Sequence, residues 1–148
     1  MKARTALRRT GVAVSPAATI ADAAAVMEHS GTGTLAVIDG EALVGVVTDR
    51  DLVRRALATG LASDARVDAV MSTPVVTIDA DEDVHHADAR FRHHAVRRLA
   101  VVDGPRFIGM LSIDDLLLGL ADDLTDLSRP VSAEMRHPQH DSPTPAVR

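Results

Sequence analysis

Apolar and polar positions along the chain follow a short cycle that runs twice. Gly11 to Val14 reads as a short extended segment. Ile20, Ala23, Ala24 and Met27 then recur at i, i+3, i+4 and i+7, the stripe of a helix. Thr19 is its N-cap, Asp22 completes a capping box, and Gly31 and Gly33 end it. Leu35 to Ile38 is a short buried strand, Asp39-Gly40 a turn signal, and Leu43 to Thr48 a second strand. A helix from Asp49 to about Ala58 follows, with Gly60 placed to stop it. The second cycle has Val75 to Ile78 extended, a helix capped by Asp83 and running to about His94, and a strand from Leu99 to Val102. It closes with the Asp103-Gly104 turn, a strand from Phe107 to Ser112 and a helix from Asp114 to about Ala121. Leu61 to Val70 is a linker with room for one helical turn.

The cycle is a true repeat. Sliding the chain on itself by 64 positions matches Val12–Ala56 to Val76–Leu120 without a gap. Val37, Asp39, Gly40, Gly45, Asp51 and Leu52 fall on Val101, Asp103, Gly104, Gly109, Asp115 and Leu116. Repeats of this kind are paired units that bury one apolar face together. The expected organisation is a basic arm at 1–9, a first unit with its linker at 10–66, a second unit at 67–124 and a flexible tail at 125–148. Pro130, Pro138, Pro143 and Pro145, among Ser, His and Gln, make the part from Ser128 onward read as disordered.

Composition narrows the functional classes. Apolar residues make up 46% of the chain, enough for a sizeable interior, yet Phe91 and Phe107 are the only aromatics. A net charge of −5 disfavours a general nucleic-acid binder, and the absence of cysteine excludes thiolate chemistry. No apolar run approaches the ~20 residues of a membrane span, and no h-region follows the basic start. The expectation is a cytoplasmic protein.

The candidate chemistry sits where strand runs into helix: Gly45-Val46-Val47-Thr48-Asp49-Arg50-Asp51-Leu52, and again Gly109-Met110-Leu111-Ser112-Ile113-Asp114-Asp115-Leu116. A hydroxyl at a helix start with a carboxylate three residues on has two readings. Thr48 with Asp51, and Ser112 with Asp115, can form capping boxes. The same geometry can also hold a nucleotide, because free N–H groups attract phosphate and a carboxylate can accept both hydroxyls of a ribose. Arg97 and Arg98 precede the Leu99 strand, where a guanidinium either grips phosphate in bidentate fashion or lies on a solvated strand edge. The first unit has Gly33 and Thr34 there. Its motif carries Arg50 where the second has Asp114, an anion that repels phosphate, and the sequence leaves open which arrangement is better.

A duplicated β-α-β-β-α unit resembles the cystathionine-β-synthase (CBS) domain, and two in tandem resemble a Bateman module. The two glycine-to-aspartate motifs carry the resemblance, with Val70-Met71-Ser72-Thr73-Pro74-Val75-Val76-Thr77 and Val96-Arg97-Arg98-Leu99-Ala100-Val101-Val102-Asp103. It covers about Thr10 to Asp122, and the chain looks particularly like small actinobacterial CBS-pair proteins, hypoxic-response types included, which brings an expectation of a role in stress response. It implies an α/β (α+β) fold of two units packed as a pseudo-two-fold pair. It also implies a regulatory module that takes AMP, ADP, ATP or S-adenosylmethionine between the units and requires no cofactor. Carried over by position, Thr48 and Asp51 serve one site and Ser112 and Asp115 the other. Gly11, Val12 and the residues after them, with Thr73, Pro74, Val75 and Val76, would then present backbone groups to the adenine edge. Ala36 and Ala100 depart from the family, standing where proline is common. The resemblance further implies a homodimer that buries the motif helices at Leu52, Leu116 and Leu117.

Other constellations carry less. Asp79 to Asp83 resembles a calcium loop, but Val84 and Arg90 stand where Gly and Glu are needed, so the acids are read as favouring a helix start. His85 and His86 lie about two turns from His93 and His94 on a helix, too far apart to share a zinc ion. His137 and His140 are incidental. No catalytic motif is present, which makes an enzyme the weaker hypothesis. The competing reading is a ligand-free module that acts on an unknown protein partner through its dimer surface. Single-stranded nucleic acid held by Lys2, Arg4, Arg8 and Arg9 is weaker still.

Overall fold

The computed structural model describes residues 1–136. By packing, Met1–Leu116 form one compact unit, and residues 117–136 belong to another. The first unit holds two three-stranded sheets of identical design. In the first, β1 (Ala13–Val14) runs parallel to β2 (Thr34–Asp39), which pairs antiparallel with β3 (Ala42–Thr48). In the second, β4 (Thr77–Asp79) runs parallel to β5 (Arg98–Asp103), which pairs antiparallel with β6 (Arg106–Ser112). The hairpins match position for position, Thr34 opposite Thr48 and Arg98 opposite Ser112, each with a bulge after the same valine. The sheets meet along β3 and β6.

Helices cover the sheets. A short N-terminal helix, α1, spans Ala3–Ala6. Then α2 (Ile20–Ser30) starts from a complete Thr19–Asp22 capping box and stops at Gly31, whose φ of 66° no side chain opposes. After β3, α3 (Asp49–Asp51) widens into a π-helical stretch, Leu52–Leu57, and a 3-10 turn follows at Val67–Ala69. In the second half, α4 (His85–His94) begins where the Asp83 carboxylate accepts the His85 N–H at 2.9 Å. It ends on Ala95 at φ 52°, the position Gly31 holds in the first half. His86 turns toward Glu82, and His93 meets His94 edge-on.

Two matching cores result. Ile20, Ala23, Met27, Leu35, Val37 and Val47 fill the first, and Val84, Ala87, Phe91, Leu99, Val101 and Leu111 fill the second. Each core is completed by the segment that leads into the other half. Val67 and Val70 seal the first core, while Ala3 and Ala6 seal the second. The backbone bonds repeat as well: Val67 N–H to Ala18 at 2.8 Å and Ala3 N–H to Glu82 at 2.9 Å. Thus residues 1–9, expected as a basic arm, carry part of the second core, and the repeat extends back to the first residue. The alanines are smaller than the valines they replace. Phe91 in place of Met27, and Leu111 in place of Val47, restore the volume that close packing demands.

This exchange explains the motif glycines. A Cβ on Gly45 would lie 2.5 Å from the Met71 sulfur, and one on Gly109 would lie 3.0 Å from Leu7. Both neighbours belong to the leading segments.

Ion pairs fasten the N-terminal segment. Arg4 donates to Asp81 at 3.0 Å and holds that carboxyl below its usual range. Arg90 does the same for Glu82, and the His85 N–H for Asp83. The acids from Asp79 to Asp83 therefore serve a turn, a helix start and this seam.

The last helix, α5 (Ile113–Arg136), continues well past Ala121, where the sequence pattern placed its end. Leucines 117, 120, 124 and 127 keep helical spacing, a signal obscured by the prolines beyond. Ser128 to Arg136, expected as tail, is therefore helix. Pro138, Pro143, Pro145, His137 and His140 lie outside the described residues. Among the described residues no helix is long and apolar enough to cross a membrane.

Candidate functional site

Two clefts flank the line where the sheets meet, each built from both repeats. The first takes Thr48 and Asp51 from the first motif, Ser72, Pro74, Val75 and Val76 from the segment leading into the second half, and Val96, Arg97 and Arg98 from the start of β5. The second is assembled from the equivalent positions: Ser112 and Asp115 with Thr10, Gly11, Val12, Thr32, Gly33 and Thr34. Each motif thus faces the other half's leading segment, an arrangement that spacing alone did not settle.

At Thr48 the capping box is complete. The Thr48 Oγ1 accepts the Asp51 N–H at 3.1 Å, and Asp51 Oδ2 accepts the Thr48 N–H at 3.0 Å. The remaining Asp51 oxygen lies 3.7 Å from Arg55 Nε. The second motif is looser. Ser112 Oγ accepts the Asp115 N–H at 3.0 Å, while the return bond from the Ser112 N–H is not formed. The groups that cap the helix also line a cleft.

The clefts differ in chemistry. Val46, Val75, Val76, Val96 and Met110 give the first aliphatic walls, and Arg97 and Arg98 stand exposed at its edge, their guanidinium groups with no hydrogen bond or ion pair among the described residues. The second is lined mostly by hydroxyls and glycines, with Asp114 and Asp115 as anions. Its cations are Arg98 and Arg9, and Arg9 is already bonded to the Gly31 carbonyl at 3.2 Å. The second cleft is roomier, about 390 Å³ against about 220 Å³. It lacks the apolar slot that a flat aromatic ring needs.

Of the residues selected from sequence, Thr48, Asp51, Pro74, Val75, Val76, Arg97 and Arg98 gather in the first cleft, and Gly11, Val12, Ser112 and Asp115 in the second. Arg50 lines neither. Thr73 lines a separate broad hollow with Glu41 to Val44 and Pro105. Gly11 is required for packing, since a Cβ there would lie 2.5 Å from the Phe107 ring and 2.8 Å from the Gly109 Cα. Sequence reasoning did not select Thr34 and Met110, which line both clefts. The repeat pointed to Thr34, because it occupies the position of Arg98. Thr34 is 4% exposed, and its hydroxyl has no hydrogen-bond partner.

The expected dimer face also differs. Leu116 is 8% exposed and belongs to the second core, and Leu52 packs against the first. Leu117 is exposed, with Leu118, Val53 and Leu57.

Comparison with known proteins agrees with this architecture. Residues 6–58 and 67–122 each match the CBS domain family. The CBS domain-containing protein YhcV of Bacillus subtilis is 34% identical over 103 residues, covering 70% of this chain and 74% of that one. Hypoxic response protein 1 of Mycobacterium tuberculosis is 29% identical over 100 residues, covering 66% and 70%. A CBS domain protein of Pyrobaculum aerophilum, solved in complex with AMP, superposes with a TM-score of 0.71 at 29% identity, covering 82% of this chain and 99% of that one.

Proposed function

The chain belongs to the CBS domain family as a tandem pair, and from that premise we propose that it is a regulatory module that binds an adenine nucleotide in the Thr48/Asp51 cleft. The observation that carries this reading is the meeting of aliphatic walls, an acceptor carboxylate and two guanidinium groups, unpaired among the described residues, in that one cleft. The purine would lie between Val46, Val75, Val76 and Met110, with the backbone of Pro74 to Val76 at its edge. Asp51 would accept the ribose hydroxyls, and Thr48 with Arg97 and Arg98 would take the phosphate, Arg in bidentate geometry. AMP bound to the P. aerophilum protein supports the ligand class.

No catalytic role is part of this reading. Ligand would act by favouring one arrangement of the chain or its assembly, through its differential affinity for the two states. A second copy, seated on the exposed Val53 and Leu57, is the assembly it would bias.

Calorimetric titration with AMP and with adenosine tests the proposal. AMP should bind more tightly than adenosine, and Asp51→Ala should weaken AMP at least tenfold while Asp115→Ala leaves the tight step in place. Equal binding of AMP by wild type and Asp51→Ala would reject this cleft.

A further inference from the structure

The two clefts are not separate. Thr34, Arg98 and Met110 line both. Strand register shows why: Thr34 and Arg98 open β2 and β5, opposite Thr48 and Ser112, the hydroxyls of the two motifs. A fully symmetric pair would present the same residue at each of these positions. Here one holds a buried threonine and the other an exposed arginine.

We propose that Arg98 is a shared anion group, and that a phosphate-bearing ligand in one cleft weakens binding of a second in the other. The inference rests on nucleotide binding as read above. An anion in the first cleft draws on Arg97 and Arg98 together. An anion in the second has Arg98 and an Arg9 that is already bonded to Gly31, and it must approach Asp114 and Asp115. Once Arg98 is committed to the first phosphate, the second cleft keeps its two carboxylates and, among the described residues, is left with the Arg9 that already serves Gly31. The result is negative coupling between equivalent sites, without any large movement of the chain. An uncharged nucleoside makes no demand on Arg98, so adenosine in the first cleft would leave the second unaffected.

The test compares AMP titrations of wild type, Asp51→Ala and Arg98→Ala. Weakening the first site with Asp51→Ala leaves Arg98 uncommitted, so AMP should enter the second cleft about tenfold more tightly than in the second step of wild type, within the usual range for coupled sites. A step seen only in Asp51→Ala is the limiting case of the same coupling and supports it. Adding Arg98→Ala to both backgrounds should abolish the difference. Arg98 is exposed, so its removal leaves the cores intact. A wild-type second step equal to the Asp51→Ala step means independent clefts and overturns the coupling while leaving the nucleotide reading standing. One wild-type step with none in Asp51→Ala means a closed second cleft, and has the same effect. No AMP step in any protein removes both.

Discussion

Single residues in this chain are explained by what their repeat partners touch. Gly45 and Gly11 both sit under side chains, yet they should respond differently to substitution. The neighbour of Gly45 is the flexible Met71 thioether, which can swing aside, whereas Gly11 faces the Phe107 ring and the Gly109 backbone. Gly11→Ala should therefore cost ~1–3 kcal/mol, the usual penalty of overpacking, and Gly45→Ala clearly less. Denaturant unfolding of the two variants checks the order. Ala95 is the opposite case, a side chain held at φ 52° where the first half uses Gly31. Ala95→Gly should stabilise by up to ~1 kcal/mol, the left-handed cost relieved less the entropy that glycine adds. A melting point at or below wild type would contradict it. The motif glycines were visible in the sequence as a pattern, but their cause was not. A pattern gives position, and only packing shows that a Met71 or Leu7 from the other half lies above.

At the scale of elements, both hairpins and three of the helices were legible, because alternation, turn glycines and capping residues are local signals. The N-terminal segment was not. Its two buried side chains are alanines, which carry almost no hydrophobic signal, and its arginines dominate the reading. Alignment of Ala3 and Ala6 with Val67 and Val70 was the available clue. The structure predicts that Ala3→Glu, which buries a charge where Ala3 is now fully covered, destabilises the second half by several kcal/mol. A wild-type thermal transition for that variant would show that the segment is dispensable.

The seam it forms is also pH-sensitive. Asp81, Glu82 and Asp83 have carboxyls held below their unfolded values by Arg4, Arg90 and the His85 N–H respectively. In acid the unfolded chain binds more protons than the folded one, so stability rises with pH there. This contribution is fully present above the ordinary carboxylate range, at pH ~5 and higher, and is lost as pH falls through the depressed folded values. Glu82→Gln should flatten the acid limb of stability against pH. An unchanged limb would mean that the Arg90 pair is too well solvated to matter.

For the whole molecule, the repeat conveyed the architecture, and the family resemblance supplied the expectation of an adenosine ligand. How the repeats interleave was not legible. Each cleft combines one half's motif with the other half's leading segment, so its chemistry depends on contacts between residues far apart in the chain. Arg97 and Arg98 read as a loose pair of charges in sequence. In the structure they stand beside Thr48 and Asp51 at the edge of an aliphatic slot. Arg50, inside the motif itself, lines neither cleft. The same interleaving makes the clefts unequal, since the substitutions that distinguish the repeats fall on their walls.

If the native chain binds an adenine nucleotide through the Thr48/Asp51 cleft, the ligand must stabilise the fold, and thermal unfolding with and without AMP measures that stabilisation. Ligand at 100 times its dissociation constant adds ~2.7 kcal/mol to the folded state. For a chain of this size the midpoint should rise by roughly 5–10 °C. The rise should shrink with adenosine, and in Asp51→Ala a tenfold weaker site would leave about half of it or less. A midpoint unmoved by millimolar AMP would contradict the account and leave a pair that acts through its surface alone.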